Sequence, residues 1–232
     1  RHHQPAHMGV GERDLAVVVP DVVLHLGRRS ASLRPEAVEP TGALIGGIVA
    51  ALVYLAMRRL LKKYDTDMIT MACGGGLGTS GALRGFPCLG FAQILDDGGL
   101  GICEAHVDDT PPMLMARLLT GRPGFVSDPA IDTSQNRIVY SHCVGTRKVF
   151  GPDGEPNDYY IRTSHARIGA VVESLMPAGW MTTTFRTNVA RRQMIIHQAR
   201  ALGPLNSEKG CRTKLIGEVR GDINRMFAHW DQ

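Results

Sequence analysis

The chain has 232 residues, of which 44% are hydrophobic and 21% charged, with a formal net charge of +4. This composition is typical of a globular protein, and the length is ample for a core. The basic residues are scattered with few aromatic neighbours, which argues against a nucleic-acid partner. The cysteines, 5 in number, form no C-x-x-C pair. We therefore expect no disulfide scaffold or zinc knuckle, and a reducing, cytoplasmic location.

Residues 1–40 form the least informative segment. Its polar opening lacks the apolar core of a secretory signal, and Leu15–Val23 predicts a strand interrupted at Pro20. Residues 41–64 then carry apolar side chains near helical spacing, with basic residues at the end. The apolar run is shorter than the roughly 20 residues that a bilayer requires. We therefore predict a buried helix packed on a sheet, and no membrane partner.

The middle of the chain, residues 41–121, predicts the closing part of an open, Rossmann-like α/β domain. A core strand, two short strands and a second helix are expected after the first helix: Asp67–Cys73, Pro87–Leu95, Gly101–Glu104 and Thr110–Gly121, with Thr110 as N-cap. The glycine-rich loop Gly74–Ser80 follows the first of these strands. Two interpretations of this loop stay open, a flexible connection at the sheet edge or a phosphate cradle.

After Gly121 the pattern changes to short strands separated by Gly, Pro and Asn turns. The predicted strands are Ile138–Val144, Tyr159–Thr163, Gly169–Leu175, Met181–Thr187 and Lys214–Val219. We expect residues 122–232 to form an antiparallel β-barrel-like domain, closed by a helix over Asp222–Trp230. The predicted fold class is therefore α/β, with a partial Rossmann-like domain followed by a β-rich one.

The segment Cys103–Val144 contains the densest set of candidate metal ligands and general bases: Glu104, His106, Asp108, Asp109, Asp128, Asp132 and His142. Glu104 precedes the second helix, Asp128 follows the turn after it, and His142 lies on a further strand. Two carboxylates and an imidazole that converge from separate elements are typical of a site for a divalent cation such as Mn²⁺. The domain boundary near residues 120–122 places this site in a crevice. His106 is a spare ligand, and four residues are interpreted as structural: Asp132, Cys143, His165 and His197.

Each candidate also has an ordinary structural interpretation. Glu104 is a suitable cap for the following helix, and Asp128 before a proline suits a simple turn. His142 on an apolar strand is typical of a core histidine with satisfied hydrogen bonds.

The order of Glu104, the turn Leu119-Thr120-Gly121 and Asp128 resembles the L-fucose branch of the L-fucose/L-arabinose isomerase family. His142 matches the metal-binding histidine of the arabinose branch. Three strings are similar to fucose-isomerase-like relatives, namely PCLGF, LTGRPGFVSDP and GCRTK at Pro87–Phe91, Leu119–Pro129 and Gly210–Lys214. The family's last histidine ligand follows a tryptophan near the C-terminus, where this sequence has Phe227–Gln232. The resemblance therefore implies a catalytic C-terminal half, truncated at both ends.

The resemblance implies an isomerase that interconverts an aldose and a ketose through an ene-diolate. Glu104 and Asp128 would be both metal ligands and the acid/base pair, and His142 a third ligand. Mn²⁺ or another divalent cation would be the cofactor, a monosaccharide the substrate, and a homo-oligomer (trimer or hexamer) the assembly. Two alternatives stay open: a non-catalytic sugar- or metal-binding fragment of that fold, and a metal-dependent aldolase or hydrolase.

Overall fold

The computed structural model describes residues 16–20, 40–73, 85–188 and 191–230, so the predicted glycine-rich loop Gly74–Ser80 lies outside the described residues. The helices of the described chain are α1 (Pro40–Lys63), α2 (Cys88–Asp96), α3 (Thr110–Thr120) and α4 (Ile223–Ala228). The strands are β1 (Ala16–Pro20), β2 (Met68–Thr70), β3 (Leu100–Ile102), β4 (Phe125–Asp132), β5 (Arg137–His142), β6 (Tyr159–Arg162), β7 (Val171–Ser174), β8 (Met181–Asn188), β9 (Gln193–Pro204) and β10 (Thr213–Val219).

Helix α2 packs between α1 and a small parallel sheet formed by β2 and β3. Two glycines permit this close packing. A Cβ on Gly90 of α2 would lie 3.0 Å from the sulfur of Met57 on α1, and a Cβ on Gly101 of β3 would lie 2.6 Å from the carbonyl oxygen of Phe91. Helix and sheet therefore meet at backbone distance, which only glycine allows.

The prediction of a strand over Pro87–Leu95 is wrong, because this segment is α2. The helix is buried on nearly all sides, since seven of its nine residues are buried: Cys88, Gly90, Phe91, Ala92, Ile94, Leu95 and Asp96. A short helix buried all round has no polar face, so its sequence shows a continuous apolar run rather than a helical period.

Helix α1 confirms the predicted helix, but it is only half buried. Val53 and Met57 face the core, whereas Ile48, Leu52 and Leu55 are each more than half exposed. Among the described residues, no helix is long and apolar enough to cross a membrane.

An antiparallel barrel forms largely from the second half of the chain, as expected, but the predicted strands over residues 159–163 and 169–175, β6 and β7, form a separate two-stranded sheet. Six strands follow the order β1-β4-β5-β10-β9-β8, and the sheet closes because β1 pairs with both β4 and β8. Residues 16–20, which precede both predicted domains, thus supply a barrel strand. The sequence misses β9 because its first half, Gln-Met-Ile-Ile-His-Gln, is mostly exposed and shows no alternation of apolar and polar residues.

Two apolar cores stabilise the molecule. One lies between the helices and the barrel edge and includes Phe91, Val126 and Val144. The other fills the barrel around Tyr140 and Leu215. The first core joins α2 and β3 to the ends of β4 and β5, and so brings the segment after β3 against the barrel.

Candidate metal centre

Glu104 lies in a strained turn directly after β3. The predicted strand ends at Ile102, and Cys103–Ala105 forms one 3₁₀ turn in which Glu104 and Ala105 have φ values of 62° and 55°. The Ala105 N–H donates to the carbonyl of Met71 at 3.0 Å, which fixes the turn. Consecutive non-glycine residues in the left-handed region are costly, and such strain is concentrated at functional sites.

The strained turn directs the Glu104 carboxylate towards His106. Glu104 Oε2 lies 3.0 Å from His106 Nε2, and the Glu104 side chain keeps 50% of its exposure. His106, the spare candidate, thus contacts Glu104 from the position directly after this 3₁₀ turn.

The other two predicted residues lie on neighbouring barrel strands. Asp128 is exposed on β4 and pairs with Ser141 of β5, next to His142. His142 is only 1% exposed. Donor atoms of Glu104, His142 and Cys103 all lie within 4.8 Å of one another. The structure therefore brings Glu104 and His142 together from the helical layer and the barrel.

Asp128 stands beside this group rather than within it, since no three-donor group of the described residues includes it. Partial desolvation by its neighbours raises the pKa of Asp128, although the side chain keeps contact with water. His142 and His106 lower this pKa, whereas Glu104 raises it. Asp128 is thus close enough to feel the charges of all three side chains.

Asp109 is one of the candidate carboxylates of the sequence, but it was not assigned a role there. It occupies the N-cap position of α3 in place of the predicted Thr110, yet its side chain makes no capping hydrogen bond. It is buried, and its Oδ2 has no hydrogen-bond partner among the described residues. Burial, helped by repulsion from Asp108, Asp128 and Glu104, raises the pKa of Asp109 to about 8. Its signal in the sequence was its position directly before a Pro-Pro helix start.

A divalent cation fits the carboxylates of this cluster. Burial, together with repulsion from neighbouring carboxylates, raises the pKa values of Asp109 and Asp128, and a bound cation would favour their charged forms. The unpartnered Oδ2 of Asp109 is a free oxygen donor, and oxygen donors suit a hard or borderline ion such as Mn²⁺. Glu104 would be the carboxylate ligand in the three-donor group with Cys103 and His142, and Asp128 and Asp109 lie within electrostatic reach of that group.

His142 fits the ligand role less well. The Val144 N–H donates to its Nδ1 at 3.2 Å, which assigns the proton of the neutral ring to Nε2. Metal-binding histidines usually show the reverse, with the second nitrogen donating to an oxygen acceptor. The hydrogen bonding thus favours His142 as a donor to the carboxylates, and its role as a ligand stays a prediction.

All five cysteines converge around this cluster, although the sequence shows no paired spacing. The sulfurs of Cys73 and Cys103 lie 3.2 Å apart, and Cys88 is hydrogen-bonded to Cys103. On the barrel side, Cys143 and Cys211 are hydrogen-bonded to each other. All five are free thiols. Hydrogen bonding to Cys211 and then to His165 lowers the pKa of Cys143 against the effect of burial.

The remaining residues predicted to be structural lie in local networks. Asp132 accepts hydrogen bonds from the backbone and hydroxyl of Ser134. His197 lies in the barrel, 2.8 Å from the hydroxyl of Tyr140.

Comparison with known proteins adds no relative, since no family model matches the chain and no curated protein matches it. The function is therefore argued from the residues and their geometry.

Proposed function

We propose that this chain is a metal-dependent aldose–ketose isomerase of the L-fucose/L-arabinose type, acting on a monosaccharide. One observation carries the proposal: donor atoms of Glu104 and His142 lie within 4.8 Å of each other although they come from different layers of the fold. Asp128 and Asp109 add two carboxylates within electrostatic reach. The resemblance of the sequence supplies the reaction class.

The reaction requires a proton to move between adjacent carbons of an open-chain sugar. Glu104 and Asp128 are two carboxylates from different layers of the fold within electrostatic reach of each other, so one would take the proton from the first carbon and the other would return it to the second. The raised pKa of Asp128 suits this role, because a carboxylate with a raised pKa is a stronger base and a better proton carrier near neutral pH. The 3.0 Å contact with His106 holds Glu104 in place.

A bound Mn²⁺ would supply positive charge where negative charge develops on the two neighbouring sugar oxygens. Glu104 and Asp128 would bind it, with the ring of His142 within 4.8 Å of the Glu104 oxygen and the buried carboxylate of Asp109 within electrostatic reach. Three further proposals come from the sequence: a Rossmann-like origin of the α/β part from its pattern of elements, a homo-oligomeric assembly from the resemblance, and a cytoplasmic location from the cysteine usage.

A second candidate function is a non-catalytic sugar- or metal-binding module. The observation that favours it is the openness of the site, because Asp128 is exposed and the Glu104 side chain is half exposed. An ene-diolate is reactive, and isomerisation benefits from a site that excludes water. This module would retain Mn²⁺ with one-to-one stoichiometry and show no turnover.

The test is calorimetric titration of Mn²⁺ into the metal-free chain and into a Glu104→Gln/Asp128→Asn double variant. Asp132→Asn is the matched control, because Asp132 lies on the same strand and bonds only to its own turn. We expect one-to-one binding by the wild type and the control, and loss of binding in the double variant. Equal weak binding by all three proteins would refute the metal site.

The reaction itself is tested by incubating the Mn²⁺-loaded chain with aldoses in heavy water. Isomerisation through an ene-diolate incorporates deuterium at the carbon next to the carbonyl and produces the ketose, both visible by NMR. Metal binding without either signal would favour the binding module over the isomerase.

A further inference from the structure

A second group of donor atoms lies beside the carboxylate cluster and shares no residue with it. Cys143, His165 and Cys211 each offer one donor atom, and the three atoms lie within 4.8 Å of one another. Cys143 Sγ is 3.5 Å from His165 Nδ1. The three residues come from separate places: directly after β5, the loop between β6 and β7, and directly before β10.

A buried arginine holds two of these places together. Arg212, next to Cys211, is 4% exposed. Its guanidinium donates to the carbonyl of Thr163 at 2.9 Å and to that of Ser164 at 3.2 Å, in the loop that carries His165. These hydrogen bonds therefore fix the position of Cys211 relative to the loop that carries His165.

A second arginine, Arg162, belongs to the same network of ion pairs as Arg212. Glu208 accepts from Arg212 at 2.7 Å and from Arg162 at 2.7 Å, and Arg162 also bonds to the buried Glu173 at 2.8 Å. The ion pairs join β6, β7 and the segment before β10. Two partly desolvated ion pairs on a shared carboxylate restrict geometry more than an isolated surface pair does.

The donor chemistry differs from that of the carboxylate cluster. Two sulfurs and one imidazole nitrogen are soft to borderline donors, which select Zn²⁺ over Mn²⁺. Three such ligands with an open fourth position correspond to the Cys₂His arrangement of zinc sites that keep one position for water or substrate. Cys143 is buried, Cys211 is partly buried and His165 is exposed, so the open position faces solvent.

We propose that Cys143, Cys211 and His165 bind one Zn²⁺ ion at a site separate from the carboxylate cluster. Zn²⁺ would bond to Cys143 Sγ, Cys211 Sγ and His165 Nδ1, with water in the fourth position. Binding displaces the thiol protons of the two cysteines, which pass to solvent, and no oxidant or reductant is needed. The proposal does not depend on the isomerase function.

The experiment uses Co²⁺ as a spectroscopic probe of the zinc position in the reduced full-length chain. Thiolate ligands give Co²⁺ an intense charge-transfer absorption that oxygen ligands do not give. We expect one equivalent of Co²⁺ to produce this band, and one equivalent of Zn²⁺ to abolish it. Absence of the band in the reduced wild type overturns the proposal.

The ligand variants are Cys211→Ser and His165→Asn. His165 is exposed, so His165→Asn preserves the fold even if a cysteine change perturbs it. We expect Cys211→Ser to lose most of the charge-transfer band, and His165→Asn to bind Co²⁺ more weakly. A band that is unchanged in both variants would overturn the proposal.

Two control variants separate the zinc site from its neighbours. Cys88→Ala removes a cysteine of the other sulfur group, and Glu104→Gln removes a carboxylate of the proposed Mn²⁺ site. Both should keep the Co²⁺ band. Loss of the band in Cys88→Ala with an intact far-ultraviolet spectrum would place the thiolates elsewhere and refute the assignment.

Discussion

The Asp96 carboxylate at the end of α2 accepts a 2.7 Å hydrogen bond from the hydroxyl of Thr146, in the loop after β5. The same carboxylate accepts the backbone N–H of Arg147 at 2.7 Å and forms an ion pair with its guanidinium. Asp96 is buried. The Asp96 side chain therefore connects α2 to the loop after β5, the strand that carries His142. It thereby connects the two parts of the fold that supply the candidate site.

Removing this carboxylate should strongly destabilise the fold. We expect Asp96→Ala to lower the free energy of unfolding by about 3–5 kcal/mol, because it leaves the Arg147 charge and the Thr146 hydroxyl without their buried partner. Asp97→Ala is the matched control, since Asp97 is the next residue and bonds to Arg58 and Tyr54 at the surface. Its expected cost is below about 1 kcal/mol. Urea unfolding measures both, and equal costs would contradict the role of Asp96.

The sequence predicted the elements whose pattern is local. Helices α1 and α3 and most barrel strands show apolar residues at a clear period or between clear turn signals, and the structure confirms them. The sequence failed at α2, where burial on all sides removed the period. It also failed to show that Asp96 is buried, since Asp-Asp-Gly-Gly is typical of an exposed turn.

The features of the candidate site also divide into those that the sequence indicated and those that only the fold reveals. Glu104, Asp128 and His142 were assigned to the site because their order resembles that of the isomerase family, and these assignments stay predictions. The burial of Asp109 beside them and the convergence of the cysteines were not predicted, because they depend on which elements pack together over long sequence distances. Cys143 and Cys211 meet only when β5 pairs with β10, and no local pattern encodes that pairing.

A second prediction concerns the contact between α2 and β3. In Gly101→Ala the new Cβ would lie 2.6 Å from the carbonyl oxygen of Phe91, so the backbone must move. We expect a loss of at least about 1–3 kcal/mol of stability. Gly47→Ala on α1 is the control, because a Cβ there meets nothing within 4 Å. Alanine in an open helical position should instead add roughly 0.5–1 kcal/mol. Thermal unfolding of both variants measures these changes in stability. An unchanged stability in Gly101→Ala would contradict the close packing.

A third prediction is that acid weakens the fold through His197. Burial lowers the pKa of His197 from 6.5 to about 4, and its Nε2 lies 2.8 Å from the Tyr140 hydroxyl, which donates to the neutral ring. Because the unfolded chain takes up this proton at a higher pH than the folded chain, His197 stabilises the fold above pH 6.5. That contribution, about 3 kcal/mol, is lost as the pH falls from 6.5 to 4.

Chemical unfolding at a series of pH values tests this dependence. The variant His197→Gln keeps a hydrogen-bonding group beside Tyr140 but does not titrate. We expect the slope of stability against pH between 6.5 and 4 to be smaller in the variant than in the wild type. Identical slopes would assign the acid sensitivity to other groups.

The last prediction separates strain from function at Glu104. Glu104 has a φ of 62° in a turn where a left-handed conformation costs an L-residue roughly 1–2 kcal/mol. Glu104→Gly removes that cost and one negative charge from a cluster whose carboxylates repel one another. Glycine also has an opposing effect, because its greater backbone freedom in the unfolded chain lowers the stability of the fold. We expect the metal-free variant to be at least as stable as the wild type.

The same variant should lose Mn²⁺ binding, because the Glu104 oxygen nearest to His142 is gone. Asp65→Gly is the matched control, since Asp65 also has a positive φ, 48°, but lies at the end of α1 away from the cluster. It should keep its stability and bind Mn²⁺ as the wild type does.

Stability is read from denaturant unfolding without metal, and binding from calorimetry. If Glu104→Gly is strongly destabilised, the Glu104 side chain stabilises the turn, and its left-handed conformation is not a cost that glycine relieves. If it still binds Mn²⁺ normally, Glu104 is no ligand. Stable protein without binding would show that the chain tolerates the strained turn because the carboxylate is needed there.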